Sequence, residues 1–147
     1  MKNAKFTSVL SRAGFVSLVL IAVLAVSSCS KKISFQTSTA VPAAQGVVKY
    51  KKDGNNNYRI EVDIKNLAAP KRLEPPKSTY VVWIETDANG TKNIGQLKTS
   101  SGIFTSTLKA SLTTVSAFKP AFLFITAEEN GDIQYPGYQV VLRTNRF

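Results

Sequence analysis

The ten residues YRIEVDIKNL, 58 to 67, carry the clearest structural signal in this 147-residue chain. Apolar side chains stand at every second position, namely Tyr58, Ile60, Val62 and Ile64. Charged side chains fill the positions between them, namely Arg59, Glu61, Asp63 and Lys65. A period of two places the two sets on opposite faces, which predicts a β-strand with one face buried. The alternating signs of the charged set suit pairing with neighbouring strands.

The sequence on both sides of this strand predicts more strands and no long helix after residue 28. Upstream, GVVKYKKDGNNN (46–57) reads as a strand and an Asp-Gly turn, and downstream AAPKRLEPPKS (68–78) is a proline-rich loop. Further strands are expected in TYVVWIET (79–86), KNIGQLK (92–98), GIFTSTLKA (102–110), AFLFITAEE (121–129) and DIQYPGYQVVLRT (132–144).

The connections between these strands carry turn signals. DANG (87–90) and Asn130-Gly131 predict tight turns, and residues 99–102 are expected to separate two strands. The segment SLTTVSAF (111–118) has no clear assignment. About seven short strands at this spacing predict an all-β fold, an immunoglobulin-like antiparallel β-sandwich over residues 46–147.

Residues 1–28 have the layout of an export signal. A basic start with Lys2, Lys5 and Arg12 precedes the uncharged apolar run GFVSLVLIAVLAV (14–26). This run is shorter than the roughly 20 apolar residues of a membrane-spanning helix. We therefore expect a cleaved signal-peptide helix before the sandwich.

The single cysteine, Cys29, follows this apolar run. VSSC (26–29) resembles the lipobox of bacterial lipoproteins, with Val26 in place of the commoner leucine. The resemblance implies cleavage before Cys29 and acylation of its thiol, and so a membrane partner reached through a lipid anchor such as palmitate. The alternative is an incidental cysteine after an ordinary signal peptide. Residues 29–45, rich in Ser, Thr, Ala and Gln, read as a tether with a short edge strand at 33–37.

The residue types present disfavour most enzyme and metal chemistry. The chain has no histidine and one cysteine, so it lacks Ser-His and Cys-His pairs, an intrachain disulfide and a multi-cysteine zinc site. Asp87, Asn89 and Gly90 echo half of a calcium loop, but the remaining acidic ligands are missing and a plain turn is expected. We predict no catalytic residue, no metal and no cofactor.

The charge is strongly positive, with 19 basic and 9 acidic residues and a net charge of +10. Lys2, Lys5 and Arg12 lie in the predicted signal, which leaves 16 basic residues against 9 acidic, or +7. KYKK (49–52) and Lys71-Arg72 are candidates for a patch that binds anionic polymers, and solvated strand edges are the simpler alternative. A nucleic-acid partner is not expected for an exported lipoprotein.

Four aromatic residues divide into two groups. Tyr80 and Trp83 lie within an apolar strand on opposite faces, and we expect core positions rather than a sugar-stacking platform. Tyr135 and Tyr138 flank Pro136-Gly137 in an expected loop and form the candidate binding loop.

The strand motifs resemble the C-terminal extracytoplasmic domain of anti-sigma-K factors over roughly residues 46–143. The matching motifs are Tyr80 with Trp83, Gly95 with Leu97, Thr126 with Glu128, and Pro136 before the closing strand. The resemblance implies the outer sandwich domain alone. Only a short basic stretch precedes the apolar run, so the sigma-binding part of that family is not carried over.

Together these features predict a lipid-anchored, non-catalytic protein of the cell envelope that faces the periplasm and has an envelope protein as its partner. It would act as a protein-interaction or sensory module. The alternative is a module that binds a glycan or small ligand, which exposed aromatic residues in a groove would favour.

Overall fold

The computed structural model describes residues 30–102 and 105–147. The predicted signal-peptide helix and Cys29 lie outside these residues. Nine strands form two antiparallel sheets: β1 (Lys31–Ser34), β2 (Gln45–Lys52), β3 (Tyr58–Lys65), β4 (Thr79–Thr86), β5 (Gly90–Gln96), β6 (Lys98–Gly102), β7 (Thr105–Ser116), β8 (Phe122–Glu128) and β9 (Val140–Arg143). The described part of the chain contains no helix long and apolar enough to cross a bilayer.

One sheet has five strands in the order β1-β2-β3-β7-β6, and the other has four in the order β5-β4-β8-β9. The predicted all-β sandwich is confirmed, with nine strands in place of about seven. β1 overlaps the short edge strand expected at 33–37 within the predicted tether, and β6 is an additional strand over residues 99–102, which were expected to separate two strands. Most of the unassigned segment 111–118 extends β7 as far as Ser116.

The core lies between the sheets and follows the alternation seen in the sequence. Ile60, Val62 and Ile64 of β3 are at most 1% exposed, whereas Arg59 and Asp63 between them face solvent. The opposing sheet contributes the same pattern from β4 and β8, namely Tyr80, Val82, Ile84, Leu123, Ile125 and Ala127. Burial of one large aliphatic side chain stabilises the fold by about 1.5–3 kcal/mol, so this two-sided layer is the main source of stability.

Apart from the expected edge strand at 33–37, the predicted tether at residues 29–45 is wrong from Lys31 onward, because this segment belongs to the sandwich. β1 pairs with β2, and the Phe35 N–H donates to the Gly46 carbonyl (3.1 Å). Val41 and Ala44 are buried in the core. The segment is mostly polar, but its few apolar side chains pack against the sandwich. The compact unit therefore begins at Lys31 rather than at residue 46.

The turns after β2 and β4 form where the sequence predicts them. Asp53 Oδ1 accepts the N–H groups of Asn55 (2.8 Å) and Asn57 (2.9 Å), and this side chain closes the turn between β2 and β3. Thr86 Oγ1 accepts the Asn89 N–H (2.9 Å) in the turn that leads to β5.

The predicted tight turn at Asn130-Gly131 is wrong. β8 ends at Glu128 and β9 begins at Val140, so a long loop replaces the hairpin. A two-residue turn of this type needs positive φ angles. In the described part of the chain, positive φ occurs at Asn56, Asn66, Gly90 and Gly95, not at Asn130 or Gly131.

Candidate functional site

The outer face of the four-stranded sheet carries a second buried layer. Val81 and Trp83 on β4, and Thr126 on β8, are 0% exposed. They alternate with Val82, Ile84 and Ile125, which point into the core between the sheets. Val81 and Trp83 are accordingly not part of that core cluster. The sheet is therefore buried on both faces around β4.

Trp83 is held in this outer layer by one ring contact and one hydrogen bond. Its indole stacks against Phe124 of the neighbouring strand, with ring centroids 6.3 Å apart and an interplanar angle of 14°. Its Nε1–H donates to Thr126 Oγ1 (2.8 Å), so the buried indole donor is satisfied. Thr126 is itself fully buried, and this bond gives its hydroxyl a partner.

The loop between β8 and β9, residues 129–139, is called the tyrosine loop below. Two side chains of the outer face fix it to the sheet. Asn93 on β5 donates through Nδ2 to the carbonyls of Gly131 and Ile133, both at 2.9 Å. Glu128 on β8 accepts the Gly137 N–H at Oε1 (2.7 Å).

These two anchors determine the path of the loop. Asn93 and Glu128 lie on β5 and β8, the two strands that flank β4. Asn93 is the cross-strand partner of Trp83, and Glu128 is the partner of Thr79, so both side chains are on the outer face. The chain between Gly131 and Gly137 therefore crosses the outer face of β4, which explains why Val81 and Trp83 are shielded from water.

The surroundings of Asn93 and Glu128 restrict the positions of both anchoring side chains. The Oδ1 atom of Asn93 accepts the Gly95 N–H (2.9 Å), which orients the amide toward the loop. A Cβ atom on Gly137 would lie 2.7 Å from Glu128 Oε2, a separation that would push the carboxylate away from its bond. The neighbouring Glu129 pairs with Lys77 (3.1 Å), and this hydrogen bond raises the pKa of the Lys77 ammonium.

The two tyrosines project from this anchored loop. Tyr135 is 82% exposed and Tyr138 is 84% exposed, and Val140, where β9 begins, is 44% exposed. The loop backbone is also tied at its end, because the Ala127 N–H donates to the Gln139 carbonyl (3.0 Å). A fixed backbone that presents two large aromatic rings to solvent is well suited to recognition.

The structure places the predicted aromatic residues as follows. Tyr80 is 1% exposed in the core between the sheets, and its hydroxyl donates to the Ala68 carbonyl (2.8 Å). Burial raises the pKa of Tyr80 to about 12. Trp83 is buried on the opposite face of the same strand, and Tyr135 and Tyr138 are both exposed on one loop. Cys29, the predicted lipidation site, lies outside the described residues.

Sequence reasoning missed the two anchoring side chains, Asn93 and Glu128. Asparagine is uncommon in strand interiors, so the Asn near the start of the predicted strand KNIGQLK was the available signal. Glu128 carries no signal of its own beside Glu129, yet the two differ in the structure: Glu128 is 8% exposed and holds the loop, whereas Glu129 is exposed. The sequence predicts an exposed tyrosine loop but not its path over Trp83.

Asp87, Asn89 and Gly90, which echo half of a calcium loop, lie in the turn between β4 and β5. The Asp87 carboxylate forms an ion pair with Arg146, and the turn around it is closed by Thr86. Among the residues that the structure describes, no cluster of three or more Cys, Asp or Glu side chains could hold a metal ion.

A groove of about 310 Å³ at the sheet edge is lined by Gln36, Phe122, Arg143, Thr144, Asn145 and Arg146.

The chain matches no protein-family model, no curated protein and no solved structure. Its resemblance to the outer domain of anti-sigma-K factors therefore rests on the strand motifs alone.

Proposed function

We propose that this protein is a lipid-anchored, non-catalytic module of the cell envelope that binds a protein partner through the tyrosine loop. The observation that carries the proposal is the exposure of Tyr135 and Tyr138, above 80% for each, on a loop held at both ends by Asn93 and Glu128. Exposed aromatic residues on a fixed backbone lose little conformational entropy on binding.

A protein partner is favoured over a small ligand by the shape of this surface. Tyr135 and Tyr138 stand exposed on the tyrosine loop, followed by the half-exposed Val140 at the start of β9, whereas a small-molecule site is concave and encloses its ligand. Tyrosine is also one of the residues that contribute most to protein–protein interfaces. We therefore assign the loop a protein-interaction role.

The envelope location rests on the N-terminal sequence. Acylation of Cys29 would hold the chain on the periplasmic side of a membrane, and two or three acyl chains would make the attachment stable. In this setting the sandwich would act as a sensory or interaction domain similar to the outer half of an anti-sigma-K factor, without the sigma-binding part.

The interaction is tested by a photo-crosslinking phenylalanine analogue placed at position 135 in the full chain, in the cells that produce it. The matched control carries the same analogue at Val115, which is 58% exposed on the other sheet. We expect a discrete adduct with one envelope protein from position 135 and none from position 115. Adding Tyr138→Ala should reduce the adduct about tenfold, the effect of losing roughly 1.4 kcal/mol at a binding hot spot.

Equal adducts from positions 135 and 115, or no adduct from 135, would contradict the proposed interaction. The anchor is tested separately by metabolic labelling with an alkyne-tagged fatty acid. We expect labelling of the native chain and none of the Cys29→Ala variant, and persistent labelling of that variant would refute acylation at this residue.

A glycan or small ligand is the second candidate, and the groove beside β9 favours it. The Arg143 guanidinium lies 4.5 Å from the centre of the Phe122 ring, beside the amides of Gln36 and Asn145. Planar polar groups next to an aromatic ring suit a sugar. Binding of an envelope glycan that is lost with Arg143→Gln and unchanged by Tyr138→Ala would support this candidate against the first.

A further inference from the structure

The outer face of the five-stranded sheet, called the basic face below, is strongly and asymmetrically charged. Its seven basic side chains are Lys32, Lys49, Lys51, Arg59, Lys65, Lys98 and Lys109. Its two acidic side chains are Glu61 and Asp63. Seven against two leaves a charge of +5 on this face, which is most of the +7 carried by the chain after the predicted signal.

The opposite face of the molecule has the reverse balance. The outer face of the four-stranded sheet and the tyrosine loop carry four acidic side chains, Glu85, Glu128, Glu129 and Asp132, and one basic side chain, Arg143. One further basic side chain, Lys77, reaches Glu129 from outside this face. The positive charge is therefore concentrated on one side rather than spread over the surface. A general role in solubility would not require this separation.

Strand pairing on the basic face places like charges directly opposite each other. Lys32 is the cross-strand partner of Lys49, and Lys65 is the partner of Lys109. Direct partners share a face, with Cβ atoms about 5 Å apart, and such like-charge pairs reduce the stability of a sheet. Lys51 and Arg59 form a third such pair, while Lys49 also lies opposite Glu61. Three like-charge pairs on one face are accounted for if an anionic surface neutralises the basic side chains.

We propose that the basic face lies on the anionic head groups of the membrane that holds the lipid anchor. The face is a broad sheet surface in which lysine predominates, and lysine acts as a point charge suited to diffuse attraction by a charged surface. β1 begins at Lys31, two residues after Cys29, and two residues span at most about 7 Å. This inference uses the proposed anchor at Cys29 for proximity, while the attraction itself comes from the charge of the face.

This orientation has a consequence for recognition. The basic face and the tyrosine loop lie on opposite outer surfaces of the sandwich. Docking of the basic face on the membrane would direct Tyr135 and Tyr138 away from the bilayer, where a partner can reach them.

The test is residue-resolved amine labelling of the full chain, processed by a bacterial host and reconstituted into two kinds of vesicle. One contains phosphatidylcholine only, and the other contains phosphatidylcholine and phosphatidylglycerol in equal parts. We expect slower labelling of Lys49, Lys65 and Lys109 in the anionic vesicles, with Lys71 and Lys119 unchanged. NaCl at about 1 M, where the Debye length is about 3 Å, should remove the difference.

A charge variant sharpens this test. The triple variant Lys65→Gln, Lys98→Gln, Lys109→Gln removes three charges from the basic face and leaves Lys49 as the reporter. One lysine at an anionic surface favours the bound state about fivefold, so the docked-to-free ratio should fall about 100-fold. The matched control, Lys71→Gln, Arg72→Gln, Lys119→Gln, removes three charges elsewhere and should keep the protection of Lys49.

Equal labelling of the basic face in both vesicles, or equal slowing at Lys71 and Lys119, would overturn the proposal. Protection by soluble heparin but not by phosphatidylglycerol would also overturn it, in favour of an acidic glycan. Flotation with vesicles distinguishes the proposed lipid anchor from the proposed binding by the basic face. If the native chain floats only with anionic vesicles and the triple variant does not float, the anchor is refuted and binding by the basic face is supported. If the native chain floats with neither kind of vesicle, both proposals are refuted.

Discussion

The two outer faces of the sandwich differ in what covers them, although both belong to antiparallel sheets. The four-stranded sheet has Trp83 and Val81 on its outer face, and the tyrosine loop crosses over them. The five-stranded sheet has charged side chains there, with Val115 58% exposed among them. A large ring such as Trp83 is stabilised by a cover of protein, whereas charged side chains and a single exposed valine leave the face open to a partner or to water.

The tyrosine loop takes its path from the face that it crosses. The loop does not depend on its own composition for a fixed path, because Asn93 and Glu128 bind its backbone and Trp83 provides an apolar surface beneath it. Most of the described charged side chains of the basic face are exposed, and in the absence of an anion its direct like-charge pairs oppose the stability of the sheet.

The largest expected effect tests whether the covered face is a true second core. We expect Trp83→Ala to lower the free energy of unfolding by about 3–5 kcal/mol, because it removes a fully buried ring and its contact with Phe124. Val115→Ala on the open face is the matched control and should change stability by less than about 0.5 kcal/mol. Urea unfolding followed by circular dichroism measures both. Similar losses from the two variants would remove the distinction between the faces.

The pH dependence of the free energy of unfolding tests the burial of Tyr80 in the core between the sheets. Its folded pKa is raised to about 12, against about 10 in an unfolded chain. The neutral hydroxyl therefore contributes stability that is fully present below pH 10 and is lost as the pH rises to 12, by about 2–3 kcal/mol in total. Unfolding measurements from pH 9 to 12 on the native chain and on Tyr80→Phe isolate this contribution from the other tyrosines and lysines.

In Tyr80→Phe the bond to the Ala68 carbonyl is lost, at a cost of about 1 kcal/mol at pH 7. The native chain should therefore lose its advantage over the variant as the pH rises toward 12. If the difference in unfolding free energy between the native chain and Tyr80→Phe stays constant with pH, Tyr80 ionises equally easily in the folded and unfolded chains.

The anchor of the tyrosine loop is tested by Glu128→Ala. Loss of the acceptor for the Gly137 N–H should cost about 1.5–3 kcal/mol, because hydrogen bonds to charged groups are the stronger ones. Glu128→Gln keeps an acceptor and should cost less. On the open face, Glu61→Ala removes an exposed ion pair with Arg59 and should cost at most about 1 kcal/mol. Hydrogen exchange of the Gly137 amide should quicken in Glu128→Ala and not in Glu61→Ala, and unchanged exchange would argue against Glu128 as the anchor.

The smallest expected effect has the opposite sign. Lys109→Gln removes one member of the direct pair with Lys65 and should stabilise the fold by about 0.2–1 kcal/mol at low salt. The gain should shrink as salt screens the repulsion. Lys71→Gln, outside the sheets, should have no comparable effect. A salt-independent loss of stability in Lys109→Gln would show that favourable packing of the lysine stem outweighs the repulsion between the two ammonium groups.

Much of the fold is predictable from local patterns. The strict alternation of β3, the turn at Asp53 and the apolar strands β4 and β8 are all evident in the sequence, because each depends on residues close together in the chain. The errors concern segments whose structure depends on distant partners. The tether prediction fails beyond the expected edge strand, because Val41 and Ala44 pack into the core and Phe35 pairs with the chain after β9.

The candidate site shows the same division. Exposure of Tyr135 and Tyr138 is expected from the Pro-Gly between them, which disfavours a strand. The Asn130-Gly131 pair has a strong local preference for a tight turn, but the side chain of Asn93, nearly forty residues earlier, binds the Gly131 and Ile133 carbonyls and holds the chain in another path. Tertiary hydrogen bonds therefore overrode the local turn preference.

The amino-acid sequence by itself determined an all-β sandwich and a net excess of positive charge. These properties follow from periodicity and composition, which are local or additive. Only the tertiary structure decided which side of the sandwich carries that charge, and that a loop covers Trp83 and presents the two tyrosines. Both depend on strand order and register, which bring together residues that no short stretch of sequence connects.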